Sequence, residues 1–160
     1  MAKTGNKPQR PCGMRRVADK GALMPFLSSF LAWLFILALA AANGALREAV
    51  LVPSLGRTGG LLLSGVLLSL IVVIVACFLV RARRGLTVSQ GFGIGVFWLV
   101  LTLVFELGFG LFQHKSWADL LGAYTFEDGN LWPVVLLATL LAPPTAALLQ
   151  ARSRSSAARP

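Results

Sequence analysis

The sequence predicts an all-α membrane protein, a bundle of four transmembrane helices with a short helix at the outer surface. Apolar residues make up 56% of the 160-residue chain and charged residues only 13%, about half the roughly 25% of a soluble domain. Four apolar segments also reach the length of about 20 residues that a helix needs to cross a bilayer. Because these runs do not alternate in polarity, and because lipid cannot hydrogen-bond the backbone, we expect helices.

The predicted order along the chain is a tail, a membrane domain and a second tail. Residues 1–23 are polar and basic, with the composition of a disordered cytoplasmic tail. The membrane domain covers 24–150, with spans at about 25–43, 59–80, 91–112 and 131–149. Residues 151–160 form the second basic tail.

The first span follows a basic segment, as the apolar part of a secretory signal peptide does. Its uninterrupted apolar run, 26–42, is longer than the roughly 7–15 residues typical of a signal peptide. We therefore expect this span to stay in the mature protein. Cleavage near the Ala-Ala-Asn-Gly-Ala sequence at 41–45 is the alternative.

The basic residues predict the orientation of the chain, whose net charge is +9. Six Lys and Arg residues precede the first span, three lie between the second and third spans, and three follow the fourth, against Arg47, Arg57 and Lys115 elsewhere. Because positively charged short loops stay in the cytoplasm, we expect both termini there, which requires an even number of spans. Since the charges lie in short segments and the tails lack aromatic residues, no nucleic-acid partner is expected.

Glu106 interrupts the third predicted span. It lies about 22 Å along that helix from Gly91, in the outer third of the bilayer. A carboxylate at this depth costs a few kcal/mol unless it is paired or neutral, which makes it a candidate for function. A structural partner for Glu106, or extension of its side chain to the interface, is the favoured alternative.

The end of the first span offers partners for Glu106. Asn43 and Arg47 are four residues apart, so they share a face if the helix continues past Asn43. The Arg47 side chain is long enough to reach back along its helix. Since Arg and a carboxylate form directional ion pairs in a low dielectric, we predict a polar cluster of Asn43, Arg47 and Glu106, with Glu48 nearby.

The short outer helix is expected between the third and fourth spans. Ser116 can cap a helix that begins at Trp117, with Asp119 at the third helical position of a variant capping box. The apolar residues of this helix then share one face: Trp117, Leu120, Leu121 and Tyr124. We expect the helix to lie on the outer surface. An ordinary connecting loop is the alternative.

No metal or cofactor site is expected. His114 is accompanied by scattered carboxylates (Asp119, Glu127 and Asp128) without the spacing of a metal site. The candidates for function at the outer face are therefore single side chains: His114, Trp117, Asp119 and Tyr124. The two cysteines, Cys12 and Cys77, do not form a disulfide framework.

Small residues and prolines predict how the helices pack. Gly91 and Gly95 have the four-residue spacing that lets helix backbones approach closely. The Pro143–Pro144 pair interrupts the fourth span about two-thirds along, and we expect it to kink or shorten that helix.

Three stretches resemble a family of small uncharacterised bacterial four-span inner-membrane proteins. They are 43–53, with Asn-x-x-x-Arg-Glu after the first span, 105–110, with Phe-Glu in the third, and 117–133, with its Trp, Tyr and Trp-Pro. The resemblance covers roughly residues 26–149. It implies location in the bacterial inner membrane and no established activity, and therefore no catalytic residue. The basic tail to residue 23 departs from the family pattern.

Three classes of function remain, each with the lipid bilayer as a partner. A structural or accessory subunit without catalytic activity, packed with itself or with a larger membrane protein, is favoured because the chain carries no catalytic motif. A small oligomeric transporter or channel would use Glu106 as its proton- or cation-binding group. A membrane enzyme acting at the outer face through Glu106 and His114 is the second alternative.

Overall fold

The computed structural model describes residues 15–83, 85–122, 124–126 and 129–157, with the backbone alone at 15–25, 119 and 157. In these ranges every extended regular element is a helix. The elements are α1 (Arg15–Leu46), a π-helical turn (Arg47–Leu51), α2 (Val52–Ala82), α3 (Val88–Phe112), α4 (Trp117–Gly122) and α5 (Trp132–Ala157). The all-α class predicted from the apolar runs is therefore confirmed.

Three helical stretches are long and apolar enough to cross a membrane: Phe26–Ala82, Val88–Phe112 and Trp132–Ser156. The four predicted spans overlap these stretches. Helix α1 begins at Arg15 and α5 ends at Ala157, so helix extends into both segments that were expected to be tails. A nucleated helix propagates readily through good helix formers such as Ala, Arg and Lys.

The chain reverses direction between α1 and α2. The π-helical turn follows α1 directly, and Gly56 adopts φ 74° and ψ 170°, a conformation open essentially to glycine alone. Asn43 near the end of α1 hydrogen-bonds Ser64 in α2, and Ser29 in the middle of α1 accepts a hydrogen bond from Arg83 beyond the end of α2. Helices α1 and α2 are therefore antiparallel neighbours within one helical stretch.

Helix α5 packs between α2 and α3, and α1 completes the ring. Gln150 Nε2 donates to the Val80 carbonyl at 3.3 Å, so α5 and α2 end at the same side of the bundle. Helix α1 packs chiefly against α2 and approaches α3 more sparsely. The core contains the fully buried Trp98 together with Trp33, Ile36, Val72, Ala76, Leu79 and Ala142.

Helices α3 and α5 approach closely at two glycines, which confirms the packing role predicted from their spacing. A Cβ on Gly95 would lie 2.0 Å from the Leu140 carbonyl oxygen, and a Cβ on Gly91 would lie 2.9 Å from the Pro143 carbonyl oxygen. Pro144 has no N–H to donate to Leu140, four residues earlier. The Gly95 Cα–H that points at this oxygen offers a weak replacement. Helix α5 continues through both prolines to Ala157, so the pair does not shorten it.

His114 lies two residues beyond Phe112, the last residue of α3, and its conformation terminates the helix. Its φ of 58° is left-handed, and the His114 N–H donates to Leu111 while the Lys115 N–H donates to Gly110. This is the Schellman pattern, in which glycine usually occupies the left-handed position. Helix α4 then begins at Trp117, as the capping pattern predicted.

Candidate functional site

Two side chains from separate parts of the chain meet at the Glu106 carboxylate. Glu106 Oε2 accepts a hydrogen bond from the Tyr124 hydroxyl at 2.8 Å and another from Trp132 Nε1 at 2.8 Å. Glu106 belongs to α3, Tyr124 follows α4, and Trp132 is the first residue of α5. We call these three residues the outer clamp, where outer denotes the end of the bundle opposite Arg83 and Gln150. Their hydrogen bonds fasten the connection after α3 to two long helices.

The predicted ion pair between Arg47 and Glu106 is not formed among the described residues. Arg47 Nε instead donates to Glu48 Oε1 at 2.9 Å. Both partners of this pair are at least one-third exposed, where an ion pair of adjacent residues gains little. Glu106 Oε2 instead accepts hydrogen bonds from two neutral donors, Tyr124 and Trp132.

Asn43 lies deeper than Arg47 and bonds to a different helix. Its buried side-chain amide donates to both the Ser64 hydroxyl, at 2.8 Å, and the Ser64 carbonyl oxygen, at 3.1 Å. The two hydrogen bonds fix the register of α1 against α2. The predicted cluster therefore separates into three units: Asn43 with Ser64, Arg47 with Glu48, and Glu106 with its aromatic donors.

All three units border one cavity of about 440 Å³, which we call the outer cavity. Its walls come from α1, α2, α3 and α5, and Leu120 of α4 covers part of one end. Most of the lining is apolar, including Leu37, Leu68 and Val135. The polar lining residues are Asn43, Arg47, Ser64, Thr102, Glu106, Lys115, Asn130 and Thr139.

One tryptophan lines the inner side of the outer cavity, and a second tryptophan lies behind it in the core. Trp33 is 7% exposed and donates from Nε1 to Thr102 Oγ1 at 3.1 Å. Trp98 is fully buried one turn further in and donates from Nε1 to the Ser29 carbonyl oxygen at 2.9 Å. Both rings are fixed by hydrogen bonds between α1 and α3.

The outer-face candidates take different places in the structure. Tyr124 belongs to the outer clamp, His114 ends α3, and Trp117 is 61% exposed. Leu120, on the predicted apolar face, is buried and packs over Gly110. The Asp119 side chain, Glu127 and Asp128 lie outside the described residues. No group of three or more His, Cys, Asp or Glu side chains that could hold a metal occurs in the described part of the chain.

The clamp changes the acidity of Tyr124. Burial of the phenol, the hydrogen bond to Glu106 and the negative charge of that carboxylate raise the pKa of Tyr124 to about 12. Each of these effects favours the neutral hydroxyl over the phenolate. Tyr124 therefore remains a hydrogen-bond donor throughout the physiological pH range.

The sequence contains a signal for the clamp that opposite charge does not reveal. Trp132 and Tyr124 carry polar N–H and O–H groups on apolar rings, and such groups need an acceptor when they are buried. Both residues are also expected near the outer boundary of the membrane, as interface anchors. Matching these donors to the carboxylate would have predicted the contact, whereas matching opposite charges predicted Arg47.

Comparison with protein-family models, curated proteins and solved structures found no match to this chain. The resemblance to small four-span membrane proteins remains a prediction from the three short stretches that carry it.

Proposed function

We propose that the chain is a four-span protein of the bacterial inner membrane, with both termini in the cytoplasm, and a structural or accessory subunit without catalytic activity. The outer clamp is the observation that carries this proposal. Its carboxylate is held by two donors from the chain itself, so Glu106 serves to stabilise the outer half of the bundle. The partner is a second copy of the chain or a larger membrane protein.

The antiparallel contacts of α1 and α2 support the count of four spans. The stretch Phe26–Ala82 is 57 residues long, more than twice the length of about 20 residues that one crossing needs. With α1 and α2 each crossing once, and α3 and α5 once each, both chain ends lie on one side. Helix α4 then belongs to the outer surface, as does the turn around Gly56.

The described basic residues are consistent with this orientation. Arg81 and Arg83 lie at the end of α2, and Arg152 and Arg154 lie near the end of α5, on the same side of the bundle. Six further basic residues precede α1 or lie in its first turns. By the positive-inside rule this side faces the cytoplasm.

Substitution of Glu106 separates a structural role from a chemical one. In Glu106→Gln the amide oxygen still accepts hydrogen bonds, so we expect most of the stability and membrane accumulation of the wild type. In Glu106→Leu two part-buried donors lose their acceptor, and we expect a loss of about 2 kcal/mol or more in the free energy of unfolding. Glu48→Gln is the control, because Glu48 is exposed and pairs only with its neighbour.

Affinity purification of each variant in mild detergent, with mass spectrometry, tests the accessory role. We expect a stoichiometric partner or a homo-oligomer that is retained with Glu106→Gln and reduced with Glu106→Leu. Proton or cation flux in liposomes that Glu106→Gln abolishes, with thermal stability unchanged, would instead make the protein a transporter. Accumulation of a lipid precursor on deletion, restored by the wild type but not by Glu106→Gln, would make it an enzyme.

A further inference from the structure

We propose that the outer cavity is a binding site for one amphiphile of the outer leaflet, with its apolar chain between α1 and α3 and an anionic phosphate head at Arg47 and Lys115. The proposal rests on the four-span membrane placement given above. It goes beyond it by assigning a ligand class to a cavity that the clamp helps to form.

The cavity opens sideways, between α1 and α3. On α1 the lining residues Ala40, Ala41 and Gly44 are themselves partly or fully exposed. On α3 the lining residues Phe105 and Phe109 are 43% and 51% exposed. Surface residues on both helices therefore border the same opening. Because this opening lies within the proposed spans, it faces the hydrocarbon of the bilayer rather than water.

The lining changes from apolar to charged along the bundle axis. The inner end is formed by Trp33, Ile36 and Val72, whereas Arg47 and Lys115 lie at the outer end, where their helices finish. A volume of about 440 Å³ falls within the roughly 300–1,000 Å³ of small-ligand pockets. An occupant with an apolar chain and a polar head matches this gradient, whereas a fully polar solute would leave the inner walls in contact with water.

The two cations at the outer end favour an anionic phosphate head. Arg47 has five N–H donors, and its ion pair with Glu48 uses the one on Nε. Guanidinium and ammonium groups both bind phosphate through charge-assisted hydrogen bonds. Glu106 borders the cavity at a deeper level, where its Oε2 accepts the clamp hydrogen bonds. The charged groups at the level of the head are thus Arg47 and Lys115, with Glu48 as the counter-ion that a phosphate would replace.

Variants that block the opening test where the apolar chain of the amphiphile lies. A Cβ on Gly44 meets no atom within 4 Å, so the ring in Gly44→Phe enters the mouth of the cavity without a backbone clash. Gly108→Phe is the matched control, since Gly108 is equally open, lies on α3 and does not line the cavity. Ala41→Phe is a second blocking variant at an exposed lining position, for use if Gly44→Phe fails to fold.

Native mass spectrometry of the detergent-purified protein, mixed with phosphatidylglycerol or with phosphatidylcholine of the same chains, measures the binding. We expect the wild type and Gly108→Phe to retain one phosphatidylglycerol, and the blocking variants to retain about tenfold less. In the double variant Arg47→Gln/Lys115→Gln, the preference for phosphatidylglycerol over phosphatidylcholine should fall about tenfold. A factor of this size corresponds to the loss of one charge-assisted hydrogen bond. Excess inorganic phosphate should not displace the lipid, because the apolar chain contributes to binding.

Two results would overturn the proposal. One is equal lipid retention in the blocking variants and Gly108→Phe, which would place the lipid elsewhere on the surface. The other is a loss of the assigned ligand class, seen as displacement of the lipid by inorganic phosphate or as equal binding of the anionic and zwitterionic lipids. Labelling of cysteines from outside the cell tests the membrane placement separately, so a failure of lipid binding is distinguishable from a wrong topology.

Discussion

Replacing Gly95 by alanine should disrupt the contact between α3 and α5. The new Cβ would lie 2.0 Å from the Leu140 carbonyl oxygen, and real Cβ atoms essentially never approach within 3.0 Å of another heavy atom in this way. The obstacle is backbone, which no side-chain rotation can remove. The two helices must therefore separate by about 1 Å at this point.

The cost follows from that separation. A gap of about 1 Å removes up to roughly half of the dispersion attraction between the facing atoms. The Leu140 carbonyl, which Pro144 deprives of its helical donor, also loses the Cα–H of Gly95. Overpacking typically costs about 1–3 kcal/mol, and we expect Gly95→Ala to lie near the upper end, at about 3 kcal/mol.

Gly93→Ala provides the matched control, two residues away on the same helix. A Cβ on Gly93 meets no atom within 4 Å, so alanine there should be neutral or, through helix propensity, stabilising by up to about 1 kcal/mol. Thermal unfolding of both variants in the same detergent, followed by circular dichroism, gives the comparison. Equal stability of Gly95→Ala and Gly93→Ala would refute the close α3–α5 packing.

Three further predictions follow from particular residues. His114→Gly should raise the free energy of unfolding by about 1 kcal/mol, because glycine adopts the left-handed conformation without strain. Gln113→Gly, at a residue with negative φ, should not stabilise the protein, and a stabilisation equal to that of His114→Gly would contradict the left-handed conformation at residue 114. Asn43→Ala should lower the free energy of unfolding by about 1–3 kcal/mol, since it removes two buried hydrogen bonds to Ser64. Gly44→Ala, at the next residue, should be close to neutral, and a lower thermal unfolding midpoint for Gly44→Ala than for Asn43→Ala would contradict the α1–α2 register. In a Cys77→Ala background, a membrane-impermeant maleimide applied to intact cells should label Ser116→Cys and leave the native Cys12 unlabelled; labelling of Cys12 would place the N-terminus outside.

The helices could be predicted because their signal is local. Long apolar runs identify the helices that are long and apolar enough to cross a membrane, and Ser116 before an apolar face located the start of α4 at Trp117. The spacing of Gly91 and Gly95 predicted close packing, although not against which helix. Their partner is the Pro143–Pro144 segment, and this match depends on the rotation of α3 and α5 about their axes, which one sequence does not contain.

The candidate site was predicted less completely, because its contacts depend on how the connections fold. Glu106 was singled out as a polar residue within an apolar span that needs a partner, but opposite charge was a poor guide to that partner. Arg47 has Glu48 beside it in sequence, and the connection after α4 brings Tyr124 back over the end of α3. Neutral donors on aromatic rings thus hold one oxygen of the carboxylate, from positions 18 and 26 residues along the chain from Glu106.

The acidity of Tyr124 tests the outer clamp most directly. Tyr124 is the single tyrosine of the chain, so the ultraviolet absorbance of phenolate reports on it alone. The folded pKa, raised to about 12, exceeds the ordinary value of about 10. The contribution of Tyr124 to stability is therefore fully present below pH 10 and is lost as the pH rises towards 12.

The decisive measurement is a phenolate titration of the purified protein in detergent, with helicity followed by circular dichroism at each pH. The clamp predicts a midpoint near pH 12 and a lower midpoint in Glu106→Gln, whose amide carries no charge. A midpoint near pH 10 in the helical protein, unchanged by Glu106→Gln, would contradict a structural role for Glu106 in holding Tyr124.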